Sequence, residues 1–299
     1  MPVKPFWFGV LLVLVRAAAV ADPAPKVTPS PRSLQSPISQ AVTLNGKTFP
    51  AVTPYVAKVP PPVRAFFVSA SGPAGDGSAE HPWTDLQEAL RALSPGDRLT
   101  VRPGTYAAEF RIDKACRDGS EGRPIQVFFD GKAKLVPRGE LAVISAGRSH
   151  WYLSGPFVEL GQTANTGISI DDDARGVTID GARISGGAGP SIRVGGETAG
   201  VRIANSRIAK TRLEEANPQG IGIAIAAGAR DVLITNNQMK DNPGGSLRVL
   251  APVGAQRMAN GVLVVSNTMR DDASAAIGVE AADGIRIVGN TILNAPDMS

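Results

Sequence analysis

Arg193 and Arg248 occupy the same place in two short alternating segments, Ser191-Ile-Arg-Val194 and Ser246-Leu-Arg-Val249. Each is the polar middle of an apolar–polar–apolar triplet, the pattern of a strand with one buried face, so each guanidinium is predicted to point outward. Arginine presents a planar fork of donors that matches carboxylate, sulfate or phosphate. The same strand position runs Ser169, Arg193, Ala224, Arg248, Gly278, and the place two residues on runs Asp171, Gly195, Ala226, Leu250, Glu280. Small residues between the two arginines, about 9.6 Å apart by strand spacing, would leave a shallow trough. Arg193 and Arg248 are its candidate anion clamps, and Ser169, Asp171 and Glu280 its candidate binding groups. The competing reading makes both arginines ordinary solubilising surface groups.

A second set lies in a turn. Lys240-Asp241 and Arg270-Asp271 fall at equivalent places, with Lys210 and Asn294 nearby. Alternating charge there reads as a solvated ion-pair ladder. Lys210 or Lys240 acts as a general base only if burial or a neighbouring cation depresses its pKa. Asp171-Asp172-Asp173 offers three carboxylates to calcium, but neighbours on a strand point to opposite sides, which favours turn chemistry and leaves metal ligands unassigned. His81, the Asp76-Gly77 turn, His150, Trp83 and Trp151 read as local structure or packing. Cys116 is the sole cysteine, so an internal disulfide is excluded.

The elements that must position these groups come from a repeat. Gly176-Val-Thr-Ile-Asp-Gly-Ala-Arg-Ile184 returns as units starting at Gly200, Asp231, Gly261 and Gly284, with aliphatic second, fourth and ninth places. Such periods mark stacked units, none of which buries its apolar face alone. Gly167-Ile-Ser-Ile170 and its equivalents add a further strand per coil, and no helical stripe interrupts them. Weaker units start at Asp97, Pro124 and His150. The expectation is all-β: a right-handed parallel β-helix, or solenoid, of about eight coils. Its seventh-place Ser206, Asn237, Asn267 and Asn290 should form an internal polar ladder. An N-terminal capping helix to about Leu93 is predicted, with Thr84 and Gln87 as a capping box and Leu86, Leu90 and Leu93 on one face.

Composition bounds the rest. Lys4, the apolar run Phe6 to Val15 and Ala19-Val20-Ala21 resemble a signal peptide over 1–21, with a run too short to span a bilayer. The protein is therefore expected to be secreted, periplasmic or extracellular, without a stable membrane anchor. Residues 22–63 hold ten of the 24 prolines and read as an extended linker or leader; at Ala41 to Leu44 before Asn45-Gly46 a disordered segment is favoured over a hairpin laid on the solenoid. The β-helix domain is assigned to 64–299. Net charge is +4 and falls to about +2 once Lys4 and Arg16 are removed, which argues against nucleic acid as a partner.

Phe67-Val-Ser-Ala-Ser-Gly72, Thr84-Asp-Leu-Gln-Glu-Ala-Leu90, Pro95-Gly-Asp97, Val101-Arg-Pro-Gly-Thr-Tyr106 and Gly119-Ser-Glu-Gly-Arg-Pro-Ile125 resemble the opening of pectate-lyase-like β-helix proteins. Within them the chondroitinase B and alginate lyase group is most similar, over roughly residues 66 to 299. The resemblance implies action on, or binding of, uronic-acid polysaccharides outside the cytoplasm. It further implies β-elimination by a Lys and Arg pair, with calcium commonly neutralising the sugar carboxylate. The family's catalytic motif matches no stretch here, so Arg193, Arg248, Lys210 and Lys240 stand as catalytic candidates on their own positions. Two readings stay open: a polysaccharide lyase or related carbohydrate-active enzyme, and a non-catalytic module binding glycan or a surface partner.

Overall fold

The computed structural model describes residues 58–294, apart from 108, 140, 164–165, 172, 213–219 and 252–256, and two strands at 42–44 and 47–49. The short apolar alternations build three parallel sheets. Sheet I runs Ala65–Val68, Arg98–Val101, Ile125–Phe129, Trp151–Ser154, Thr178–Asp180, Arg202–Ala204, Leu233–Thr235, Leu263–Val265 and Arg286–Val288. Sheet II runs Gly104–Ala107, Ala133–Val136, Phe157–Gly161, Arg183–Gly186, Arg207–Ala209, Gln238–Lys240, Thr268–Arg270 and Thr291–Leu293. Sheet III runs Phe110–Ile112, Ile144–Ala146, Ile168–Ile170, Ile192–Val194, Ile223–Ile225, Leu247–Val249 and Ile277–Val279. The chain visits I, II and III in turn, so each coil supplies the crossover that parallel pairing requires. Seven complete coils are present among the described residues, with strands of sheets I and II beginning another, against the eight expected.

Register carries through the repeats unbroken. Ile179, Ile203, Ile234 and Val264 align in sheet I, and Ile184, Ile208, Met239 and Met269 in sheet II, all buried. Val177, Val201, Val232 and Val262 are fully buried in the same core, which Ile285 joins partly. The corner from sheet I to sheet II needs a left-handed residue. The sixth place of the unit provides it through Gly181, Asn205, Asn236, Ser266 and Gly289, at φ between 54° and 68°.

The seventh place turns inward and forms the expected ladder. Backbone N–H groups of Ala182, Ser206, Asn237 and Asn267 donate to the side-chain oxygens of Ser206, Asn237, Asn267 and Asn290 at 2.9–3.1 Å. The Nδ2 groups of Asn237, Asn267 and Asn290 donate to the carbonyls of Ile203, Ile234 and Val264 at 2.9–3.0 Å. Buried corner amides are thereby paired without water.

The helix spans Leu86–Ala92 and buries Leu86, Ala89 and Leu90, with Leu93 buried just beyond. Its N-cap is Asp85, whose carboxylate accepts the Glu88 N–H at 2.9 Å, so the Thr84 capping box is corrected by one residue. Asp caps at least as well as Thr, and the shift frees Gln87 for another task. Upstream, Pro60 O accepts from Gln126 Nε2 at 3.0 Å, and Val63 N–H donates to Gly96 O at 2.8 Å. Residues Val42–Leu44 and Lys47–Phe49 pair antiparallel as a hairpin within the separate unit Met1–Thr53. The remainder of the leader, and the 1–21 segment, lie outside the described residues. Cys116 is buried, and burial pushes its thiol pKa up.

Candidate functional site

Sheet III places one outward residue per coil. Strand pairing aligns Arg111, Ser145, Ser169, Arg193, Ala224, Arg248 and Gly278 in a single column, because apolar neighbours on both sides are drawn into the core. Two residues on, the column continues with Asp113, Gly147, Asp171, Gly195, Ala226, Leu250 and Glu280. An open groove of about 660 Å³ runs over the first half of this face. Its polar lining is Arg111, Asp113, Ser145, Asp171, Asp173 and Glu197.

Asp171 is the best-held group beside it. Its Oδ1 accepts from Arg193 Nη1 at 2.6 Å, and its Oδ2 accepts a short hydrogen bond from the Ser169 hydroxyl. Ser169 is buried beneath this pair, whereas the Arg193 side chain remains 47% exposed. One nitrogen of the fork faces Asp171, leaving further donors for a ligand. The ion pair itself is too exposed to stabilise the fold appreciably. Its value is positional: a hydroxyl and a cation fix where the carboxylate points.

Gly195 floors the groove. A Cβ there would lie 2.8 Å from both the Ile170 carbonyl oxygen and Asp171 Oδ1. Gly195→Val is therefore expected to push Asp171 off Arg193 and to destabilise the fold by roughly 1–3 kcal/mol, read from a denaturation midpoint.

The other sequence candidates lie elsewhere. Arg248 is two coils from Arg193 on the same column, but its guanidinium donates to Ala275 O at 2.7 Å and to Ser274 Oγ at 2.7 Å. It lies across Gly245 and Gly278, where an added Cβ would approach Nη1 to 2.6 Å, and burial lowers its pKa. Arg248 braces the 274–275 turn, so the two-arginine clamp is not assembled here. Glu280 is exposed and its Oε2 accepts from the Ala251 N–H at 2.9 Å. Lys210 and Lys240 leave sheet II, away from the sheet III column. Lys240 Nζ lies 3.3 Å from Asp241 and 3.8 Å from Asp271, and Lys210 is exposed. Neither has the burial that a lysine base requires. Asp173 adopts φ 61° as a turn residue, Asp172 lies outside the described residues, and no group of three His, Cys, Asp or Glu suited to a metal occurs among the described residues.

Arg111, Asp113, Ser145 and Glu197 were not singled out by the sequence reading. Phe110-Arg-Ile112 and Ile144-Ser-Ala146 show the same triplet as Ile192-Arg-Val194, which was the available signal. Arg111 is fixed from behind by the freed Gln87, whose Oε1 accepts the Arg111 N–H at 2.7 Å and whose Nε2 donates to its carbonyl at 2.8 Å. Its guanidinium reaches Glu109 at 3.2 Å. The Leu141 N–H and Arg111 hold the Glu109 carboxyl below its ordinary pKa.

Residues 158–298 match the family model described as right handed beta helix region. The structure is similar to an alginate lyase from Paenibacillus sp. str. FPU-7, with a TM-score of 0.56 and 19% identity over 76% of this chain and 75% of that one. It is also similar to XylC in complex with xylose, with a TM-score of 0.53 and 10% identity over 77% of this chain and 66% of the other. Pectate lyase Pel9A aligns over 77% and 78% of the chains, with 16% identity and a TM-score of 0.40. Comparison with curated protein sequences returns no match. The chain folds as a right-handed parallel β-helix.

Proposed function

We propose that this protein engages an acidic polysaccharide through the sheet III groove, acting outside the cytoplasm. The observation that carries the reading is the Ser169–Asp171–Arg193 set at the groove, with Arg111 farther along the same column. Separate uronate carboxylates of one polymer would take the free donors of Arg193 and Arg111, three rungs or about 14 Å apart, while Asp113 and Asp171 accept sugar hydroxyls. Similarity of fold to an alginate lyase, and to XylC solved with xylose, supports a carbohydrate.

A lyase requires a base and an acid beside the cation that neutralises the carboxylate. The described groove is lined by one arginine, Arg111, and by carboxylates but by no lysine or histidine, which favours binding over elimination as the primary activity. The test is incubation of the protein with pectate, alginate and chondroitin, with and without calcium, reading ultraviolet absorbance of unsaturated uronate alongside binding to each immobilised polymer. Binding to at least one, weakened about tenfold or more in Arg111→Ala/Arg193→Ala, is expected. Neither binding nor product with any polymer would overturn the proposal; product with binding would make the protein a lyase.

Export is part of the same reading, supported by the 1–21 pattern. Expressed with residues 1–21 in a secreting host, the released protein is expected to begin at Asp22 by intact mass. A full-length cytoplasmic product would remove this part.

A further inference from the structure

We infer that the outer face of sheet II is a second docking surface, on which an acidic polysaccharide lies along the coil axis across Arg183 and Arg207. Strand pairing aligns Lys134, Phe157, Arg183, Arg207, Gln238, Thr268 and Thr291 in one outward column. The flanking Leu135, Val158, Ile184, Ile208, Met239 and Met269 are all buried, so the column must face away from the core.

Charge on this face is uneven in an informative way. Lys134 pairs with Glu159, Lys240 with Asp241 and Asp271, and Arg270 with Asp271. Arg183 and Arg207 pair with no carboxylate among the described residues, although they are adjacent on neighbouring rungs, about 4.8 Å apart. Like charges directly opposite across a strand pair are destabilising. An anion that spans both removes that repulsion and gains charge-assisted hydrogen bonds.

The site is also held ready. The Arg183 guanidinium lies 4.7 Å from the Phe157 ring centroid, and its Nη2 donates to the Gly131 carbonyl, so it is laid flat on the sheet. Arg207 is exposed beside it, and Gln238, Thr268 and Thr291 continue the row as neutral hydrogen-bonding groups. Two cations without a carboxylate partner among the described residues, followed by uncharged polar side chains, suit a polymer with spaced acidic groups and many hydroxyls. Duplex nucleic acid, which draws its affinity from many phosphate contacts, fits such a face poorly. The acidic group can be carboxylate or sulfate, since the fork accepts both. This inference stands independently of the sheet III groove.

The test uses the full chain and three immobilised polymers: pectate for carboxylate, dextran sulfate for sulfate, and unmodified dextran. Arg183→Gln/Arg207→Gln is expected to weaken binding of pectate or dextran sulfate about tenfold or more while leaving dextran unchanged, and the affected polymer identifies the acidic group. Arg207→Gln alone, at an exposed position, is expected to weaken it about fivefold and serves if the Arg183 change disturbs folding. Unchanged affinity for both acidic polymers in folded Arg207→Gln and the double variant would overturn the inference. Duplex DNA bound as tightly, and lost equally in the double variant, would also overturn it by exposing a general polyanion face. Loss confined to Arg111→Ala/Arg193→Ala would remove this surface while leaving the groove reading intact.

Discussion

Asn267→Leu is expected to destabilise the solenoid by about 4 kcal/mol or more, lowering the denaturant midpoint severely or leaving the protein insoluble. The volume change is small, so packing is not the cause. Asn267 Oδ1 accepts from both Asn237 N–H and Asn237 Nδ2 at 2.9 Å, and its Nδ2 donates to Ile234 O, Val265 O and Asn290 Oδ1. Leucine orphans these groups in a corner that excludes water, and each unmade buried bond costs about 1–3 kcal/mol. Asn205→Gly is the control. Asn205 stands one place earlier at φ 54° on the exposed side of the corner, and glycine adopts that conformation freely. It should cost less than about 1 kcal/mol, and comparable losses in the two variants would remove the ladder argument.

Asp272→Ala is expected to cost about 2–4 kcal/mol near neutral pH, and more in acid. The Asp272 carboxylate is buried; Oδ1 accepts from Asn242 N–H at 3.0 Å, and Oδ2 accepts from Ser246 N–H at 3.0 Å and Ser246 Oγ at 2.6 Å. Three buried donors would lose their partner. Desolvation nevertheless outweighs these bonds and raises the Asp272 pKa above its ordinary value of 3.8. A carboxyl whose pKa rises on folding contributes most when protonated, below 3.8, and that contribution fades as pH climbs through the folded value. The wild-type advantage over Asp272→Ala should therefore be larger at pH 3.5 than at pH 7 in urea unfolding. A larger advantage at pH 7 would show that the hydrogen bonds dominate the buried charge.

The solenoid was legible in the sequence because stacking requires the same residue types at the same places. Val177, Val201, Val232 and Val262 repeat for one reason, the shared core, and Asn237, Asn267 and Asn290 for another, the paired corner. The outward column of sheet III was legible by the same alternation once a coil was recognised. Arg111 and Asp113 escaped because their coil lacks the nine-residue unit, so its third strand had no landmark. Arg248 could be placed on its face but not oriented. Its role depends on the backbone of 274–275 arriving beside it and on Gly245 and Gly278 giving it room, and neither is a property of its own triplet. Asp85 displaced Thr84 as cap for a similar reason: both residues suit the place, and the bond to Glu88 decides.

The corner from sheet I to sheet II holds one length in every unit, while successive units start 24, 31, 30 and 23 residues apart. Additions are thus confined to two of the three bends, and the third acts as a hinge pin that keeps every rung in phase. A foreign peptide spliced between Ala209 and Ile223 would hang off the stack without turning any neighbouring side chain, whereas one residue added between Ala204 and Arg207 would rotate the rest of that rung inside out. New loops can be grafted onto this protein at chosen heights, provided that pin is left alone.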